Sequence, residues 1–445
     1  MTAGAWSRSA PESTEARETM TTQTDHHTGV EVDPSSPSAR VAALREGGPE
    51  AIVEAARVVA RQLAARAEEN DRLARYPAES IEELWSTGLW ALPIPADRGG
   101  IGAGLTTAAQ VARILGGADA SVALIYLWHI SQLRSANAYW PERWWRQLNE
   151  AAAIGPACNA LRVEPELGTP VRGGVPATKA VRTTAPDGSP AWRINGTKIF
   201  STASTGLRWM GVWAATPEDD EGGLQVGMVL VPHGTPGVEI IEGSWNHLGM
   251  RASASNDVVF HDVLVPIDNA VGLTPFTGVD PAATREDPKG AGSWVGVIET
   301  SLYLGVLEAG RDFFVKFLNE RVPANLGAPL ASLDRFQQAV GEIELAIYEN
   351  DTLISNLARR IEALENDQSS PLVPRSELGL TKVATSRNVV RALELAISMI
   401  GNPGLSANNP LQRYYRDALC SRAHAPQADI VLGGAGRGAL SRAAS

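Results

Sequence analysis

The imidazole of His424, set in the run ALCSRAHAPQAD, can give or take a proton near neutral pH. His129, in LWHIS, has the same capacity, although a lone histidine on an apolar helix also reads as a satisfied core residue. Around it Tyr126, Trp128 and Trp140 are spaced either to line a pocket for a flat apolar substrate or to fill a core. Trp245, in SWNHLGMR, is either a site aromatic or packing beneath the hairpin that residues 248–266 are read to form. Thiol chemistry is poorly supplied. Cys158 and Cys420 are the two cysteines and neither belongs to a CxxC pair, so they read as buried thiols in a reducing cytoplasm. His26-His27 lies in a polar stretch and reads as solvated; no metal site is expected.

The elements that must position these groups follow from periodicity. Apolar residues recur at helical spacing through 50–92, where Ala51, Val53, Ala56, Val59 and Leu63 share one side. Pro77 opens a further helix, and another is predicted over 106–138. Pro141 starts a short Trp-rich one. Alternation then predicts strands over 157–163, 178–183, 192–202, 208–215, 224–231, 238–242 and 258–265. Asn195-Gly196 predicts a type I′ hairpin turn, and Asp187-Gly188 another break. Long helices close the chain over 294–321, 331–366 and 376–400. The expected class is α+β. A disordered tail over 1–40 precedes an N-terminal helical domain over 41–154 and a central antiparallel β-domain over 155–272. A linker over 273–292 leads to a C-terminal four-helix bundle over 293–445.

Composition narrows the function. With 445 residues and 44% apolar content the chain can build several ordinary cores. A net charge of −11 argues against nucleic acid and anionic membrane as partners. No run approaches the roughly 18 apolar residues that span a bilayer. The tail lacks the apolar segment of a secretory signal. A cytoplasmic protein is expected.

Four stretches carry a resemblance: the connector YPAESIEELWSTGLWALPIPADRGGIG, the segment NGTKIFST, the segment LGMRASASNDVVFHDVLVP, and the ending GNPGLSANNPLQRYYRDA. In this order and separation they resemble the acyl-CoA dehydrogenase superfamily over roughly residues 45–440. The resemblance implies a flavin, FAD or FMN. It places Phe200 as an aromatic wall, Thr202 as a hydroxyl donor and Asn159 as an amide donor to the ring. Arg321 falls where an arginine meets the cofactor's pyrophosphate, Gln337 matches a cofactor-binding glutamine on the next helix, and Gly401 and Gly404 sit where the backbone must approach the cofactor closely. It further implies a homotetramer.

The dehydrogenases of this superfamily remove an α-proton with a glutamate after the Arg-Asp-Ala signature. Counted from Arg416-Asp417-Ala418, the tyrosine position is His424 and the glutamate position is Ala425. A minority place the base on the helix before Gly305, where counting gives Val295. Glu299, one turn later, is the nearby carboxylate, expected to be solvated or salt-bridged. The ending is similar to that of flavin monooxygenases on this fold, the dibenzothiophene monooxygenase-like subgroup. There a separate reductase supplies reduced flavin, and O2 adds to form a C4a-(hydro)peroxide. That subgroup's active-site positions correspond to His424, Thr202, Asn159, His129 and Trp245. A two-component monooxygenase acting on a small molecule is therefore expected. The alternatives are an acyl-CoA dehydrogenase with a relocated base and a flavin-binding protein without turnover.

Overall fold

A computed structural model describes residues 36–218, 220, 222–278, 293–367 and 369–444. The tail forecast, with His26-His27, lies outside them apart from residues 36–40. Those five residues are not tail: Ser36 caps helix α1 (Pro37–Leu73) through its hydroxyl, and Pro37 occupies the first turn, where no N–H is needed. Gly48 adopts φ 65° just before Pro49 and kinks α1 into two parts. Helices α2 (Ala78–Ser86), α3 (Leu105–Ala118), α4 (Ala120–Tyr139) and α5 (Glu142–Ala152) complete the first layer. The single helix predicted over 106–138 is two. Asp119 leaves helical geometry and turns its carboxylate onto the N–H groups of Ser121 and Val122, capping α4.

Eight strands form one sheet: β1 (Cys158–Leu161), β2 (Lys179–Thr184), β3 (Pro190–Ser201), β4 (Trp209–Ala215), β5 (Gln225–Pro232), β6 (Val238–Ile241), β7 (Asn256–Pro266) and β8 (Ala270–Pro275). Their order is β6-β7-β3-β2-β4-β5-β8, mostly antiparallel, with β1 parallel to β4. The Asn195-Gly196 turn is corrected. Both residues lie inside β3, where the register against β7 shifts between Ile194 and Gly196. Asn195 spends its amide on Asp262, which sits at φ 48° in the facing strand, so the pair forms a bulge rather than a hairpin. Glycine is required at 196 because a Cβ would come within 2.6 Å of the Thr178 backbone. The β2–β3 hairpin turns instead at Asp187-Gly188. Strand β8 takes up residues read as the end of the β-domain and the start of the linker.

Among the described residues five helices follow: α6 (Ser293–Glu320), α7 (Asp334–Asn366), α8 (Arg375–Ile400), α9 (Pro410–Cys420) and α10 (Ala428–Ala444). Helices α3 and α6 meet backbone to backbone: a Cβ at Gly305 would fall 1.8 Å from the Arg113 carbonyl, and one at Gly116 2.2 Å from that of Leu302. Arg113 ties this seam to Glu308 of α6 and Asp351 of α7 at 2.5 and 2.6 Å. One apolar core runs from Val41 through the sheet to Ala418.

Candidate active site

Two polar groups stand out, joined through helix α9. The first sits where β1, the end of β3 and the start of β7 converge. Asn159 donates from Nδ2 to the Thr202 carbonyl at 3.1 Å. The Thr202 hydroxyl lies 3.0 Å from that of Ser255, which lies 2.7 Å from that of Ser253. All four side chains are buried, and the buried Ser201 hydroxyl has no partner. Such a set can serve as donors to a ligand's carbonyls and ring nitrogens.

Beside it, Phe200 takes φ 57°, a conformation that costs a bulky residue about 1–2 kcal/mol. The turn leaves Phe200 48% exposed, the opposite of what an apolar residue prefers. Phe200 meets Trp245 and His247 edge-on at 6.1 and 5.5 Å, and Trp245 stacks on His247 at 3.7 Å. Trp245 is held by its Nε1 donating to the Met250 carbonyl at 2.9 Å.

Met250 N–H in turn donates to Asp417 of α9 at 2.7 Å, and Gly249 rests so close to the Arg416 carbonyl that a Cβ would fall 2.2 Å from it. Burial pushes the Asp417 carboxyl up to about 7. Helix α9 then runs into the turn that carries His424.

There the second group forms. His424 Nδ1 lies 3.2 Å from the Tyr303 hydroxyl and 3.3 Å from Glu299 Oε1. Lys382 Nζ lies 3.4 Å from the same oxygen, and also donates to the carbonyls of His424 and, at 3.3 Å, Pro426. Glu299 and Tyr303 are one turn apart on α6, so they share a face toward Lys382 of α8. Glu299 and Lys382 are each 4% exposed. Glu299 Oε1 is within ion-pair reach of both groups yet aligned with neither as a hydrogen-bond acceptor. Burial pushes its carboxyl up, but Lys382 and His424 outweigh that and hold it below the usual carboxylate range. Burial drives the Tyr303 phenol well above its ordinary value.

Other predicted site residues fall elsewhere. His129 is 1% exposed, with Nε2 at 3.0 Å from the Trp90 carbonyl and Nδ1 accepting from Ala157 N–H at 3.0 Å. Neither ring nitrogen is left for a ligand, and burial lowers its pKa to about 4. With these two bonds His129 joins α4 to the segments that hold Trp90 and Ala157. Tyr126, whose hydroxyl donates to the Leu89 carbonyl, is core rather than pocket lining; Trp128 and Trp140 are partly buried against the same core. Arg321 and Gln337 are exposed, and Gln337 donates to the Ala331 carbonyl. Gly401, at φ 74°, ends α8, and Gly404 packs under its last turn. Cys158 is buried and Cys420 half-buried, both free. Among the described residues no group of His, Cys, Asp and Glu has the geometry of a metal site, and no helix is long and apolar enough to cross a membrane. Tyr303, Lys382 and His247 were not anticipated. The i, i+4 spacing of Glu299 and Tyr303 was the available signal.

Comparison with known proteins identifies the family. Models of the acyl-CoA dehydrogenase N-terminal, middle and C-terminal domains match residues 50–154, 164–263 and 298–427. The putative acyl-CoA dehydrogenase YdbM of Bacillus subtilis is 32% identical over 371 residues, 82% of this chain and 90% of its own length. The chain belongs to the acyl-CoA dehydrogenase family. Within it, L-evernosamine nitrososynthase of a Micromonospora species is 27% identical, covering 80% of this chain and 82% of its own. FMN-bound TdsC, a dibenzothiophene monooxygenase of Paenibacillus sp. A11-2, superposes with a TM-score of 0.76 at 22% identity, over 88% of this chain and 97% of that one. At that identity the likeness speaks to the family fold alone. The family includes dehydrogenases and oxygenases, so the chemistry must come from the site.

Proposed function

We propose that this family member is a flavin-dependent monooxygenase that takes reduced flavin from a separate reductase. One observation carries the reading: the two places where a dehydrogenase keeps its base hold Val295 and Ala425, and the nearby carboxylate, Glu299, is engaged by Lys382 and His424. A carboxylate stabilised in that way is a poor base toward a C–H bond. The putative dehydrogenase YdbM favours the competing reading, in which Glu299 takes the α-proton of an acyl thioester.

The donor set fits a flavin. The buried hydroxyls of Ser201, Thr202, Ser253 and Ser255 and the Asn159 amide suit the oxygens and nitrogens of its ring, and the half-exposed Phe200 suits its edge. Arg321 is assigned to its pyrophosphate, and Gln337, Gly401 and Gly404 to the same cofactor, the glycines for close backbone approach. When bound, a reduced flavin supplies two electrons and two protons, so that one atom of O2 enters the substrate and the other leaves as water. His424 holds and returns a proton during this exchange. The Phe200, Trp245 and His247 rings offer a flat apolar substrate a stacking surface. FMN and FAD both suit this set. Leu345, Tyr348 and Leu353 on α7 and Leu380 on α8 are exposed apolar side chains, consistent with a homotetramer through the C-terminal helices.

The test supplies chemically reduced FMN or FAD, indole as a flat probe and isotopically labelled O2. Label in the product supports the oxygenase. Bleaching of oxidised bound flavin by butyryl-CoA without air, and no label transfer, overturns it in favour of the dehydrogenase. Flavin binding with neither outcome leaves a binding protein without turnover.

A further inference from the structure

We infer that Glu299 is a positioning residue for His424: it keeps the imidazole proton on Nδ1 and so reserves Nε2 for proton exchange with bound ligands. This deepens the oxygenase reading and rests on it for the use made of Nε2, though not for the geometry.

The charged and titratable groups around the imidazole come from three helices. Glu299 and Tyr303 approach from α6, Lys382 from α8, and Asp417 and Cys420 from α9, the last two acting on Tyr303. Glu299 and Tyr303 both lie on the Nδ1 side, at 3.3 and 3.2 Å. A neutral imidazole carries its proton on one nitrogen only. If that nitrogen were Nε2, the Nδ1 lone pair would face a buried carboxylate oxygen 3.3 Å away, an unfavourable contact. With the proton on Nδ1 the same contact is attractive. Lys382 already offsets the carboxylate's charge, so what Glu299 imposes on His424 is orientation. Lys382 has a second task. Its ammonium grips the carbonyls of His424 and Pro426, so the turn bearing the imidazole is fastened to α8 by the cation that neutralises Glu299. Nε2 makes no hydrogen bond among the described residues, and the His424 side chain is 23% exposed. A carboxylate that aligns a histidine from behind while the far nitrogen works is a general device of acid–base sites.

The experiment uses the full-length protein without flavin, O2 or substrate, labelled with 15N-histidine, with the His424 signals assigned by their loss in His424→Gln. Long-range proton–nitrogen spectra read the tautomer directly. Wild type should be dominated by the Nδ1–H form. The double variant Glu299→Met/Lys382→Met removes both charges and keeps volume, a change that buried pairs often tolerate. Its ratio of Nδ1–H to Nε2–H should fall by about tenfold, the scale of a close contact between a charge and an N–H dipole in a partly shielded site. The conservative Glu299→Asp should keep Nδ1–H dominant. An Nε2–H wild type overturns the inference, as does a ratio unchanged in the double variant. Should the double variant fail to fold, the wild-type tautomer still decides, and Glu299→Asp supplies the comparison. Because no turnover is measured, these outcomes stand apart from label transfer: an Nδ1–H His424 in a protein that transfers no oxygen defeats the oxygenase alone.

Discussion

Lys198 Nζ stands 2.7 Å from Glu164 Oε1, and neither side chain reaches solvent. Glu164 also accepts the N–H groups of Ala177 at 2.7 Å and Thr178 at 3.0 Å. One carboxylate therefore fastens the connection between β1 and β2 to β3, three residues before that strand ends at Ser201. Burial lowers the Lys198 pKa to about 8, while the Coulomb attraction of Glu164 opposes that fall.

Breaking that pair from one side leaves a buried anion. Lys198→Met should cost about 3–5 kcal/mol in denaturant unfolding. It should also weaken flavin retention, because the loop it anchors lies beside the donor set. A change below about 1 kcal/mol would mean that the two backbone donors suffice to hold Glu164.

Two buried groups should give opposite pH slopes. His129 has a folded pKa of about 4 against about 6.5 unfolded, so below pH 6.5 the unfolded chain binds the extra proton. Its contribution is therefore lost as pH falls from 6.5 toward 4. Asp417 is raised to about 7, so the folded chain holds the proton between about pH 4 and 7. Its contribution is full at the acid end and is lost as pH rises through that window. His129→Phe should flatten the acid-side loss of thermal stability. Asp417→Asn, which keeps an acceptor for Met250 N–H, should raise stability at pH 8 relative to pH 5. Unchanged profiles in both variants would contradict the assignment.

His424→Ala should leave flavin affinity within a few-fold and lower product yield from reduced flavin, O2 and indole by roughly 10²–10⁴, the range of a lost general acid–base. Tyr303→Phe removes only the neighbouring hydroxyl and should cost far less. Equal yields from His424→Ala and wild type would remove the imidazole from the chemistry.

How much of this was legible depends on what each residue had to satisfy. The shift of phase from Val258 and Phe260 to Val263 and Val265 reports a bulged strand, because all four are buried on either side of Asp262. Asn195-Gly196 misled because the same dipeptide that closes a tight turn also suits a bulge, and only Asp262, far along the chain, decides between them. Asp119 was a readable cap inside a continuous apolar pattern, overlooked because hydrophobicity does not break there. The position of His424 followed from counting along a motif. Lys382 did not, since a lysine in an amphipathic helix ordinarily signals solvent, and its burial depends on a glutamate 83 residues earlier. His129 looked reactive because sequence reveals a side chain's capacity but not whether neighbouring backbone has already consumed it.

The side-chain-free seam at Gly116 and Gly305 changes what counts as a unit of this molecule. The first and last helical thirds of the chain, read from sequence as separate domains, interlock with almost no side-chain thickness between them. A truncated protein ending within the sheet would bare a long apolar furrow along α3 that no rearranged rotamer can fill, so synthesis must run nearly to completion before the amino-terminal helices find their lasting partner.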